Sequence, residues 1–109
     1  MDFEEYQKKA KETAVYKSFG AGFVYPSLGL AGEAGEVAEK VKKLIRDKDG
    51  VIDDEFRRAV AKELGDVLWY VATLCTEFDL SLAEVAAGNS EKLLTRKEQG
   101  KLHGSSDNR

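Results

Sequence analysis

The sequence predicts an all-α protein that folds as a small four-helix bundle-like protomer. Apolar residues recur at intervals of three or four through four separate blocks, which is the spacing of an amphipathic helix. Residues that break helices cluster between those blocks, at 20–29, at 47–54 and from 100 onward. No segment shows the apolar and polar alternation of a strand. A chain of 109 residues has room for one small core, so we expect a single helical domain over residues 1–99.

Two helices are predicted in the first half of the chain. Asp2 can cap the first helix, since Glu5 follows three residues later in the spacing of a capping box. The second helix is predicted from about Leu28 to the turn at residues 47–50, and basic residues near its end suit the negative end of the helix dipole. Its apolar stripe consists of Leu30, Ala34, Val37, Val41 and Leu44.

The second half of the chain predicts two more helices. Either Asp53 or Asp54 can cap the third, which is the longest and most apolar of the four. Its apolar positions are Phe56, Val60, Leu64, Val67, Val71, Leu74 and Phe78. Residues 81–84 have the capping-box form and begin a fourth helix, whose apolar pattern is interrupted at Gly88. Residues 100–109 form a polar tail that we expect to be flexible.

Charge and composition exclude several classes of function. The 17 Lys and Arg against 20 Asp and Glu give a net charge of -3, so no basic field exists for DNA or RNA and we expect no polymeric nucleic acid partner. With one cysteine, Cys75, and one histidine, His103, the chain has no intrachain disulfide, no Cys/His zinc site and no catalytic triad without His103. The longest uncharged stretch, residues 18–32, is short for a membrane span and contains glycines and a proline. We therefore expect no membrane segment and a cytoplasmic location.

Two pairs of acids are the most informative residues of the sequence. Glu33 and Glu36 on the second helix, and Glu63 and Asp66 on the third, are each spaced i, i+3, so both carboxylates of a pair leave one helix face. The short connection at residues 47–54 favours antiparallel packing, which would gather four negative charges in one pocket. Such a cluster requires cations. Because no histidine lies nearby, all-oxygen ligation predicts Mg²⁺, with Mn²⁺ as an alternative.

The alternative is that these acids are solvated and form ordinary ion pairs with Lys40, Lys62 or Arg58. Small residues beside the acids favour a site instead, since an internal glycine costs a helix roughly 1 kcal/mol. These small residues are Ala31, Gly32, Ala34, Gly35 and Gly65. Asp66 also borders the apolar residues 67–71, where an acid needs a partner.

Further polar residues are candidates for substrate binding. Tyr70 lies four residues after Asp66 and shares the acidic face of the third helix. On the fourth helix, Asn89, Lys92 and Arg96 form a polar stripe whose two cations could complement phosphate oxygens. The alternative interpretation is that this stripe is only the solvated basic end of a helix and binds no substrate.

Three other features have less specific interpretations. Trp69 and Cys75 lie on the apolar third helix, where a place in the core or in a subunit interface is favoured over a stacking platform or a nucleophile. The tail could add Lys101 and Arg109 to a bound polyphosphate as a flap, but we expect it to be disordered in the free protein.

Residues 28–43 and 62–70 together resemble the MazG-like family of all-α nucleoside triphosphate pyrophosphohydrolases. Residues 89–93 and the tail from 96 to 109 are also similar to small bacterial and phage members, so the resemblance runs over most of the chain from residue 28. The family pattern in its fullest form is Glu-Glu-x-x-Glu, and this chain has Gly32 at the first position.

The resemblance implies hydrolysis of a nucleoside triphosphate, in particular a deoxynucleotide, between the α and β phosphates. It assigns magnesium binding to Glu33, Glu36, Glu63 and Asp66, and substrate binding to Tyr70, Asn89, Lys92 and Arg96. Glu33 would also be catalytic, because a carboxylate there can orient the attacking water. Family members form dimers or dimers of dimers, so a homodimer or homotetramer is expected. The competing hypotheses are a non-enzymatic helical oligomerisation module and a magnesium-dependent hydrolase of another phosphorylated small molecule.

Overall fold

The computed structural model describes residues 1–100, and these form four α-helices and no β-strand. The helices are α1 (Phe3–Thr13), α2 (Val24–Lys48), α3 (Asp54–Glu77) and α4 (Leu82–Glu98). The predicted all-α class and the number of helices are confirmed. The predicted flexible tail lies, from residue 101 onward, outside the described residues, and Lys101, His103 and Arg109 lie there too.

Three of the helices begin where the sequence predicts a capping residue. Asp2, Asp53 and Ser81 precede α1, α3 and α4, and each side chain accepts a hydrogen bond from a backbone N–H in the first turn. The donors are Glu5 at 2.8 Å, Phe56 at 2.8 Å and Glu84 at 3.2 Å. Of the two candidate caps for α3, the structure uses Asp53.

The predicted start of α2 is wrong by one turn. The helix begins at Val24, four residues before Leu28. Pro26 lies within its first turn, where a proline is tolerated because the first N–H groups of a helix have no intrahelical partner. The side chain of Pro26 is fully buried, so packing stabilises a segment that the sequence pattern placed among the breakers.

The end of α2 agrees with the predicted turn. Asp49 and Gly50 both adopt left-handed backbone conformations, with φ of 53° and 76°. The N–H of Gly50 donates to the carbonyl of Leu44 at 3.1 Å, which satisfies a carbonyl of the last turn. The chain then reverses and α3 returns along α2. The contacts follow that order, since Lys40 lies beside Glu63 and Glu33 lies near Asp66.

The helices do not contact one another equally. The most extensive packing is between α2 and α3, while α1 packs on α3 and α4. Within residues 1–100, α2 packs against no helix other than α3. The core is small and lies near the C-terminal end of α3. Its buried residues are Ala10, Ala72, Cys75 and Leu82. Cys75 is therefore a core residue, one of the two locations that the sequence favoured for it.

Hydrogen bonds made by side chains hold α1 against the rest of the bundle. Trp69 packs against the core and donates its indole N–H to Thr13 Oγ1 at 2.8 Å. The amide of Gln7 donates to the carbonyl of Leu80 at 2.8 Å and accepts from the N–H of Leu82 at 2.9 Å. These bonds fix α1 over the second half of α3 and leave the middle of α3, which carries Glu63 and Asp66, in contact with α2.

Among the described helices, none has the length and apolar character needed to cross a membrane.

Candidate functional site

Three of the four predicted metal-binding acids come together between α2 and α3. One carboxylate oxygen each of Glu33, Glu63 and Asp66 lies within 4.8 Å of the others. We call these three residues the acid cluster. Glu33 and Glu63 are half-buried and Asp66 is exposed. Glu36, the fourth predicted ligand, is exposed and lies outside this group.

The acid cluster concentrates negative charge. The pKa of Glu33 is raised, first by a shared hydrogen bond with Glu63, then by desolvation and by the charges of Asp66, Glu63 and Glu36. A proton shared between two carboxylates is one way to relieve their repulsion, and a cation is the other. Glu33 therefore gains a proton more readily than an isolated glutamate does.

The cluster has one basic partner within the described residues. Lys40 Nζ lies 3.6 Å from Glu63 Oε1, so the alternative of ordinary ion pairs holds for Glu63. Lys62 and Arg58, the other cations in that alternative, form no ion pair anywhere in residues 1–100. One ammonium group faces three carboxylates, and an excess of negative charge remains. Oxygen donors converging from two helices are the ligand set that Mg²⁺ and Mn²⁺ prefer, so the residues fit such an ion.

Tyr70 packs between α3 and α2 next to the acid cluster. A Cβ atom built at Gly29 would overlap the Tyr70 ring, so only glycine lets the ring rest on the α2 backbone. The pKa of Tyr70 is raised, first by burial, then by its interaction with Tyr25 and by the charges of Glu33 and Asp66. Tyr70 thus lies within the field of the acids with which sequence reasoning grouped it.

Sequence reasoning missed the aromatic pair beside Tyr70. The rings of Tyr16 and Tyr25 stack with centroids 5.2 Å apart and an interplanar angle of 7°. Tyr25 lies on α2 one turn before Gly29, and this helical spacing is the signal that could have found it. Because the sequence pattern predicts that α2 starts at Leu28, it assigns Tyr25 to the connection before the helix and to no helical face.

The small residues around the acids have different surroundings. Gly29 is in contact with Tyr70. At Gly32, Gly35 and Gly65, a side-chain methyl group would meet no atom of residues 1–100 within 4 Å apart from the adjacent residues and the backbone of the same helix. These three glycines border open space. Packing within the described protomer gives no reason for a glycine at those positions.

The stripe predicted on α4 is not joined to the acid cluster within one protomer. Asn89 is exposed, and Lys92 and Arg96 are half-buried. α4 packs on α1 and α3 but not on α2, the helix that carries Glu33. One guanidinium nitrogen of Arg96, Nη1, is buried and has no hydrogen-bond partner within residues 1–100. The assignment of this stripe to substrate stays a prediction.

Comparison with known proteins shows the family to which the chain belongs. Residues 27–100 match the MazG nucleotide pyrophosphohydrolase domain, and this match contains every predicted site residue from Glu33 to Arg96. The chain is also similar to the Gene 37 protein of Mycobacterium phage L5, with 48% identity over 114 aligned positions that cover all of both chains. No solved structure matches the chain significantly. The match extends over more than half of the chain and contains the acid cluster, so the protein belongs to the MazG nucleotide pyrophosphohydrolase family.

Proposed function

We propose that the protein is a metal-dependent nucleoside triphosphate pyrophosphohydrolase, with deoxynucleotides as the favoured substrates. It would cleave between the α and β phosphates and release a nucleoside monophosphate and pyrophosphate. Family membership supports nucleotide pyrophosphohydrolase activity in general. The observation that supports metal-dependent cleavage is the convergence of Glu33, Glu63 and Asp66 on one point between α2 and α3.

In this proposal the acid cluster holds Mg²⁺, or alternatively Mn²⁺, and Glu36 adds a further carboxylate from the next turn of α2. A bound divalent ion neutralises phosphate charge and lowers the pKa of a water on it. The excess of negative charge supports this role, because the single Lys40 ammonium group does not balance three carboxylates. A triphosphate alone would be repelled by the same carboxylates, so substrate binding depends on the cation.

Glu33 is the proposed catalytic residue, as the carboxylate that orients the attacking water and accepts its proton. The position of Glu33 in the acid cluster supports this role, since the residue that orients the water must lie within hydrogen-bond reach of it. Glu63 shares a hydrogen bond with Glu33 and so holds the side chain in place. Tyr70 lies near enough to Glu33 for the charge of that residue to raise the Tyr70 pKa, and Tyr70 is proposed to contact the substrate.

We propose that Asn89, Lys92 and Arg96 bind the phosphates, with the two cations stabilising charge that develops on them. Because α4 does not pack on α2, these residues would come from a partner protomer in a homodimer or homotetramer. Large apolar side chains on α2, α3 and α4 support such an assembly. Leu28, Ile45, Leu64 and Leu94 are all more than half exposed.

The test is the identity of the products. The protein is incubated with each common ribo- and deoxynucleoside triphosphate plus magnesium, and the products are separated by anion exchange. We expect equal amounts of monophosphate and pyrophosphate from at least one triphosphate, with negligible diphosphate. If the products are instead diphosphate and free phosphate in equal amounts, the protein is a phosphatase and this assignment is wrong. Release of pyrophosphate only when metal is present would exclude the oligomerisation module.

A further inference from the structure

We propose that Tyr25 is the residue on which the nucleobase of the substrate stacks, with Tyr16 supporting its ring from behind. The inference rests on the proposed function, because the phosphates of the same nucleotide are placed at the acid cluster. It adds a binding residue for the nucleoside, which neither the acid pairs nor the α4 stripe supply.

The ring of Tyr25 offers an open face at a fixed place. Tyr16 covers one side of the ring in a nearly parallel stack at 5.2 Å. Tyr25 nevertheless keeps 44% of its surface exposed, and its hydroxyl interacts with the side chain of Tyr70. We infer that the ring face away from Tyr16 is the accessible one. A flat apolar ring with one free face is suited to a nucleobase, since every base has a π-face that can stack on an aromatic side chain.

The position of Tyr25 relative to the acids suits the shape of a nucleotide. Tyr25, Gly29 and Glu33 lie on successive turns of α2, so Tyr25 and Glu33 are separated by about 12 Å along the helix axis. The Tyr70 ring lies over Gly29, between the two. A nucleoside triphosphate is elongated, with its base at one end and its phosphates at the other. With the phosphates at Glu33, the base therefore extends towards Tyr25.

The stack is held in place by contacts that do not involve a ligand. The Tyr16 hydroxyl donates to Glu77 Oε2 at 3.0 Å, which ties the connection before α2 to the end of α3. The Glu77 carboxylate also fills the space where a Cβ at Gly22 would lie. A surface formed before binding loses less conformational entropy when the ligand arrives, which strengthens binding.

The experiment separates recognition of the nucleoside from recognition of the phosphates. Two probes are titrated in the presence of magnesium by calorimetry, a nucleoside triphosphate with an α,β-imido bridge and inorganic tripolyphosphate. The variants are Tyr25→Leu, which removes the aromatic face, and Tyr25→Phe, which keeps it. Phe19→Leu is the matched control, because Phe19 is an exposed aromatic residue of the same connection, with 68% of its surface free and no aromatic partner within residues 1–100.

We expect Tyr25→Leu to weaken binding of the nucleotide analogue by about 10- to 100-fold and to leave tripolyphosphate binding within about twofold. Phe19→Leu should bind both probes as the parent does. Tyr25→Phe keeps the ring and loses only the hydroxyl that interacts with Tyr70, so it should weaken analogue binding much less than Tyr25→Leu does. Equal weakening for both probes, or unchanged binding of the analogue, would overturn the inference. If Tyr25→Leu does not fold, Tyr25→Trp takes its place. Its larger ring should favour the analogue over tripolyphosphate more strongly than the parent does, and an unchanged preference would overturn the inference.

The parent protein distinguishes failure of this inference from failure of the proposed function. A parent that binds the analogue through Tyr25 but hydrolyses no triphosphate would refute the activity and leave the inference standing. A parent that hydrolyses triphosphates while Tyr25→Leu binds the analogue normally would refute the inference alone. A parent that binds neither probe would refute both.

Discussion

Two acid-rich regions of the α2–α3 pair differ in what surrounds their carboxylates. At the hairpin end, which we define as residues 46–57, four of the five acids have basic partners: Asp47, Asp53, Asp54 and Glu55. Arg46 Nε lies 2.8 Å from Asp47 Oδ1, and Lys48 Nζ lies 2.9 Å from Asp53 Oδ2. In the acid cluster, the group that interacts most strongly with Glu33 is another carboxyl. The same residue types thus form ion pairs in one region and, in the other, a cluster that Lys40 compensates only in part.

The pKa values follow this difference. The pKa of Asp47 is lowered, mainly by its hydrogen bond from Arg46, and that of Asp53 is lowered by the N–H of Phe56 and by Lys48. The pKa of Glu33 is raised. Spacing along one helix does not separate the two cases. What separates them is the side chain that lies beside each carboxylate: Arg46 beside Asp47, and Glu63 beside Glu33. Asp47 can therefore serve as a matched control position for the acid cluster.

The largest expected difference is in activity. Asp66→Asn removes a proposed metal ligand, and nucleotide hydrolysis should fall by about 100-fold or more, since even residues that only support a ligand typically cost 10- to 100-fold. Asp47→Asn makes the same change at the hairpin end and should leave hydrolysis within about twofold. Initial rates at saturating magnesium measure both. Equal losses in the two variants would mean that the regions do not differ in function.

The shape of the site can be tested separately from its charge. Gly29→Ala places a methyl group against the Tyr70 ring, so we expect the free energy of unfolding to fall by about 1–3 kcal/mol. Gly35→Ala, on the same helix, meets open space and should raise it by about 0.5–1 kcal/mol through helix propensity. Urea denaturation followed by circular dichroism compares them. A Gly29→Ala protein as stable as Gly35→Ala would contradict the close packing of Tyr70.

The smallest expected effect is on the pH dependence of stability without metal. Because the folded-state pKa of Glu33 lies above its unfolded value, the native state binds this proton more tightly, and stability is lost as pH rises through the raised value. Asp47 and Asp53 act in the opposite direction, since their lowered pKa values remove stability only as pH falls below the ordinary carboxyl range of about 4.

Melting temperatures in chelator between about pH 5 and pH 7 isolate the contribution of Glu33. The parent should lose more stability across this window than Glu33→Gln does. Subtracting one curve from the other removes the contributions of the titrating groups that both proteins share. Parallel curves would show that the neighbouring carboxylates do not perturb Glu33.

Much of the fold follows from local sequence rules. The caps at Asp2, Asp53 and Ser81 need only a short polar side chain and the first turn of a helix, so the sequence alone predicts them. The start of α2 depends on tertiary packing instead. Pro26 signals a break, but its burial stabilises an extra turn that no local pattern indicates.

The sequence predicts the positions of those site residues that depend on spacing along one helix or on the short hairpin between two helices. The i, i+3 spacing of Glu63 and Asp66 fixes their common face, and the short hairpin brings Glu33 opposite them. The Tyr16 and Tyr25 stack and the approach of Tyr70 to Gly29 depend on how different elements meet, which spacing along the chain does not specify.

The central claim is that the acid cluster binds a divalent cation, and paired thermal scans test it most directly. The parent, Asp66→Asn and Asp47→Asn are melted in chelator and in millimolar magnesium. In chelator, Asp66→Asn should melt above the parent, because it removes a repelling charge. Magnesium should raise the melting temperature of the parent and of Asp47→Asn, and should raise that of Asp66→Asn little or not at all. A parent that melts at the same temperature with and without magnesium would contradict the claim.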